Sequence, residues 1–183
     1  GNHGSSFVTP NTEYTMMASR FSIPIPKGTY APIDKYATDY KGVVAALKID
    51  PKSGAMSMGF EILMPPFDYD LGDAGKFVSD GWMFWSSYNA ERATGKLEVT
   101  ASQRDRDYIA AIDWRAAEKA AAAGAGDMIG GVKVIDPKKV PGLVYLIPCG
   151  KSPHGVDVSP DGKYIIGSGK LAGITTAFNF EKI

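Results

Sequence analysis

Apolar positions in this chain cluster in short runs separated by turn sequences. The clearest pair is GVVAALKI over residues 42–49 and AMSMGFEIL over residues 55–63, joined by DPKSG. Proline early and glycine late in that linker give turn chemistry, so the pair predicts a β-hairpin. Further short strands are predicted over residues 14–19, 82–88, 108–114, 132–135, 143–147, 156–158, 164–168 and 175–180. SPDG and GKLAG supply the turns between the last three. RAAEKAAAA over residues 115–123 has strong helix propensity, ended by GAGD; it is too short and too alanine-rich to define a core.

Three stretches break the pattern. FSIPIPKGTYAP carries three prolines, which suit an irregular surface excursion and not a central strand. PPFDYDLGDAGKFVSDG reads as a long excursion before the aromatic strand WMFWSSY, and NAERATGKLEVTASQRDR as a polar connection. Many short strands, frequent Gly and Pro turns and one helix predict an all-β fold built of hairpins. HGVDVSPDGKYIIGSGKLAGITTAF has the strand–turn–strand–turn–strand form of a propeller blade, although a sandwich shows much of the same pattern.

Bulk properties narrow the function only by exclusion. A chain of 183 residues with 44% apolar and 22% charged residues is globular, and length favours one domain over residues 1–183. Twenty basic and twenty acidic residues leave no net field for nucleic acid or an acidic surface. No run approaches a membrane span, and the one cysteine, Cys149, cannot form an internal disulfide. The serine elbow, the P-loop and the HExxH helix do not occur.

Candidate chemistry falls in two places. The two histidines, His3 and His154, are each followed by glycine, in NHGSS and SPHGVDVSPDG. Imidazole is the common ligand for borderline transition metals, yet a histidine beside glycine is more often a turn residue. The other place is oxygen-rich: Tyr88 with Glu91 three residues on, then Asp105 and Asp107 in RDRD. Those oxygens suit a hard cation such as calcium, while a solvated loop paired with Arg92, Arg104 and Arg106 explains them as well. Cys149 lies five residues before His154, which allows a thiol–imidazole pair or a partly buried strand-end thiol.

The segment IPCGKSPHGVDVSPDGKYIIGSGKL resembles nitrous-oxide reductase, and the N-terminal HG, AALKIDPKSGAM, SSYNAER and RDRDYIAAID match that family in order. The resemblance implies a section, about three blades, of a seven-bladed N-terminal β-propeller with irregular insertions and one short helix. It implies a tetranuclear copper–sulfide cluster held by seven histidines, two of them matched by His3 and His154. It places calcium at Tyr88, Glu91 and Asp107, with Asp105 as the alternative aspartate. Where the family has asparagine, Ser152 stands, and its shorter side chain puts the fourth calcium contact in doubt; GKLAG replaces GKLSP. A C-terminal cupredoxin domain with a dinuclear copper centre, expected of the family, is absent from this sequence.

The family reduces N₂O to N₂ and water with two electrons from a periplasmic donor, as a head-to-tail homodimer. With two histidines in the chain, five cluster ligands are missing, so the chain alone is expected to be inactive. A periplasmic parent is implied, its leader outside this sequence. Faces left bare by missing blades predict self-association. The alternatives are a non-catalytic propeller that binds or scaffolds, and a small enzyme using Cys149 and His154.

Overall fold

The computed structural model describes residues 6–19, 23–24, 40–65, 67–88 and 106–183. Fourteen strands form three sheets among them. The first sheet contains β1 (Ser6–Val8), β2 (Tyr14–Ala18), β3 (Ile23–Pro24), β4 (Tyr40–Ile49), β5 (Met56–Met64), β9 (Asp127–Ile129) and β10 (Val132–Ile135). The second runs β11 (Val144–Gly150), β8 (Arg106–Asp113), β7 (Trp82–Tyr88), β6 (Asp68–Ala74), and the third β12 (Pro153–Val158), β13 (Tyr164–Gly169), β14 (Ile174–Asn179). One α-helix, α1 (Trp114–Ala122), lies among the described residues, and no helix there is long and apolar enough to cross a membrane.

The second sheet is the middle layer, which explains its unbroken apolar runs. Met83, Trp85, Ala110 and Ile112 join the core facing the first sheet, with Met16, Val44, Phe60 and Ile62. The alternate residues Phe84, Ile109 and Ala111 face the third sheet and pack with Val156, Val158 and Ile165. A strand buried on both faces loses the polar half of its alternation, so WMFW and YIAAI read as continuous.

Both predicted hairpin turns are present. Asp50 accepts hydrogen bonds from the backbone N–H groups of Lys52 and Ser53, closing the β4–β5 hairpin. In SPDG, the Ser159 N–H reaches the Tyr164 carbonyl and the Gly162 N–H reaches that of Ser159. Gly162 has φ +75°, and a Cβ there would lie 1.7 Å from the Lys76 carbonyl oxygen. Glycine is therefore required twice, for the torsion and for the approach of the two sheets.

Several sequence expectations are corrected. The stretch read as an excursion after residue 65 contains β6, hydrogen-bonded to β7. Three aspartates, at 68, 70 and 73, masked it by their low strand propensity. Trp114 opens the helix instead of closing β8, because the Asp113 side chain caps it by accepting from the Ala116 N–H. The helix also contributes to the core through buried Trp114 and Ala117. Arg115 pairs with Glu13 and lies over the Trp114 ring, while the Tyr14 hydroxyl donates to Glu118 at 2.7 Å. These contacts fasten the helix to the first sheet. The sheets are not wholly antiparallel: β10 pairs parallel to β5 through Val134–Glu61 and Ile135–Ile62. The connection after α1 thereby returns to the first sheet's edge before β11 rejoins the second.

Candidate metal centre

His154 is positioned by an irregular strand start. Ser152 is buried with φ +54°, and its N–H donates to the Asp107 carboxylate at 2.8 Å. Its carbonyl accepts from the Lys170 N–H at 3.0 Å. The β12–β13 register then shifts between Pro153 and Val156. A bulge of this kind re-aims a side chain, and here the His154 imidazole meets β6.

There Nε2 of His154 lies 3.4 Å from Oδ2 of Asp70. The imidazole is 54% exposed and the Asp70 side chain only 7%, so a buried carboxylate backs an accessible ring. With Nε2 directed at Asp70, Nδ1 is the nitrogen left for a metal. A carboxylate behind an imidazole helps to orient the ring of a metal-ligating histidine. Two glycines let the layers close beside this point. A Cβ on Gly150 would lie 3.1 Å from the Gly169 Cα, and one on Gly169 would lie 2.9 Å from the Gly150 Cα.

Two of the oxygen-rich candidates, Asp107 and the backbone of Tyr88, lie on neighbouring strands of the second sheet. Asp107, on β8 opposite Cys149, is buried. Tyr88 is the last residue of β7, and the register Ser87–Tyr108 places Tyr88 and Asp107 one step further along neighbouring strands. Asp107 therefore joins Ser152, by a hydrogen bond, and the backbone end of Tyr88, by register. His3, Glu91, Asp105, Arg92 and Arg104 lie outside the described residues. Among the described residues, no three or more His, Cys, Asp or Glu side chains gather as a metal site.

The surroundings of Cys149 disfavour it as a nucleophile. It is buried, its thiol contacts the Gly150 carbonyl at 3.5 Å, and burial with the nearby Asp107 charge pushes its pKa up to about 12. The thiolate that a thiol–imidazole enzyme needs is thus suppressed. Asp70 is the residue that the sequence reading passed over. Its signal was the alternation Phe67, Tyr69, Leu71 with aspartates between, a period-two strand hidden inside an apparent loop.

No protein-family profile matches the sequence. The nitrous-oxide reductase of Stutzerimonas stutzeri is 28% identical over 182 residues, covering 95% of this chain and 27% of that protein. The nitrous-oxide reductase of Pseudomonas fluorescens is 28% identical over 186 residues, with the same two coverages. The chain is a distant homologue of these reductases and spans about 27% of their length. Among solved structures, the periplasmic gluconolactonase PpgL of Pseudomonas aeruginosa superposes with a TM-score of 0.57 at 13% identity, over 96% of this chain and 38% of that one. The hydrazine synthase of Kuenenia stuttgartiensis gives 0.58 at 12% identity, over 96% and 44%. These likenesses concern the fold: mostly β-sheet, one short helix, with propeller-like neighbours.

Proposed function

We propose that this chain is a section of the N-terminal β-propeller of a copper-dependent nitrous-oxide reductase, in which His154 and His3 serve as two ligands of a copper–sulfide cluster. The observation that carries the reading is the accessible His154 imidazole, held by a strand bulge and backed by buried Asp70. It falls in the PHG segment by which the sequence resembles those reductases. Copper, when bound in the parent, supplies the two electrons that turn N₂O and two protons into N₂ and water.

The chain's own donors fit part of such a centre and not the whole. Its histidines number two, so the remaining ligands would come from other parts of the parent. His154 would hold copper through the nitrogen turned away from Asp70, with Asp70 behind the ring. Asp107, Tyr88 and Glu91 would supply oxygens to calcium, a hard cation matched to carboxylate and phenol. Asp107 also accepts the Ser152 N–H, so a calcium there would brace the turn that leads into His154. On this reading the parent is periplasmic, carries a cupredoxin domain and pairs head to tail. The isolated chain does not turn over N₂O.

The test uses the full-length gene product, expressed with copper and assayed for N₂O reduction with a chemical electron donor. The reading expects activity, and loss of both activity and cluster copper in His154→Ala. A full-length product that is copper-free and inactive after copper loading would leave a scaffold propeller as the better description.

A further inference from the structure

The seven methionines of the chain are not equivalent. Met16, Met64 and Met83 are buried in the core. Met128 is exposed alone on the three-residue strand β9. Met56 and Met58 differ from both groups. They lie two positions apart on β5, 61% and 44% exposed. The strand period puts both thioethers on one face, with their Cα atoms about 6–7 Å apart. Two flexible side chains at that spacing can bring their sulfurs onto one ion.

We infer that Met56 and Met58 form a bis-thioether site for a soft monovalent cation, copper(I) or silver(I). The surroundings select for softness. Across the β4–β5 ladder the partners are Ile49 for Met56 and Leu47 for Met58, neither of which carries a donor atom. Ser57 lies between them and points to the opposite face, paired with Lys48. The carboxylate nearest in sequence, Glu61, lies beyond the β-bulge, in register with Ala45 and with Val134 of β10, and Asp50 accepts from Lys52 N–H, Ser53 N–H and the Ser53 hydroxyl within its own turn. The residues directly opposite the two thioethers offer a hydrated divalent ion no oxygen ligand. A weakly hydrated ion that prefers sulfur would lose little by settling there. The hairpin turn and the β4 ladder hold the backbone spacing, so the second thioether binds at a raised effective concentration. The site stands apart from the His154 centre and does not depend on the proposal made for it.

The test is a silver(I) titration of the full 183-residue chain carrying ¹³C-methyl methionine, followed by methyl NMR. Met56→Leu and Met58→Leu assign the signals; both positions are exposed, and circular dichroism checks that the variants fold. The expected result is that the Met56 and Met58 methyls shift together with one Kd, about tenfold tighter than Met128. Either leucine variant should reduce the surviving partner to the affinity of Met128. Copper(I) should move the same two signals and zinc(II) should move neither. Silver taken up by Cys149 or the imidazoles leaves these methyls in place and is read separately. If the three exposed methionines titrate in parallel, if Met56 and Met58 do not shift, or if zinc shifts them equally, the inference is wrong.

Discussion

Replacing Asp73 with alanine should detach the third sheet more than any other single polar change at that boundary. One oxygen of Asp73, Oδ2, accepts the Val158 N–H at 2.9 Å and the Lys76 ammonium at 2.6 Å. The same ammonium donates to the Val158 carbonyl at 3.1 Å, so one carboxylate and one lysine hold both backbone groups of a buried residue in β12. Losing the acceptor leaves a buried N–H unpaired, which costs about 1–3 kcal/mol, and removes a charge-assisted bond worth about 1.5–3 kcal/mol. The two overlap, and about 2–4 kcal/mol is the net expectation. For a chain of this length that corresponds to a fall in Tm of about 5–12 °C. Asp73→Asn keeps an acceptor and should cost about half as much. Lys76→Met removes a partly exposed partner that water can replace, and should cost about 1 kcal/mol or less. Urea melts of the three variants measure the order, and hydrogen exchange at the Val158 amide locates it. An Asp73→Ala protein within about 0.5 kcal/mol of the parent, with Val158 still protected, would refute the argument.

Two further outcomes follow from the same packing. Gly162→Ala should destabilise by about 3 kcal/mol or more, since its Cβ meets the Lys76 carbonyl at 1.7 Å while φ stays at +75°; a melt unchanged from wild type would contradict the sheet-to-sheet contact. The Cys149 thiol, raised by burial and the Asp107 charge from an ordinary 9.0 to about 12, favours its neutral form in the fold. Stability from this group is therefore complete below pH 9 and is lost as pH rises toward 12, and thiol labelling of the native protein should stay slow at pH 8–9 and become fast in urea.

How much of this was legible beforehand depended on what each strand faces. The hairpins around DPKSG and SPDG carried their own turn chemistry, and the middle-sheet strands carried unbroken apolar runs, so both were readable. β6 was masked, because the aspartates within its apolar alternation read as loop, and the contacts of Asp70 and Asp73 with β12 do not show in a hydrophobic pattern. The parallel pairing of β10 with β5 depends on how α1 packs, which local sequence does not encode. Of the site, His154, Asp107 and Tyr88 were recognisable as chemistry-bearing residues. Their support was not: Asp70 meets His154 through a strand bulge, and the Ser152 N–H reaches Asp107 from a left-handed backbone turn.

The central claim is that His154 is a copper ligand oriented by Asp70, and the most direct test is anomalous diffraction at the copper edge on crystals of the full-length gene product. A copper peak is expected at coordination distance from Nδ1 of His154, with Nε2 still facing Asp70. A fully copper-loaded, ordered protein with no copper at that nitrogen would contradict it.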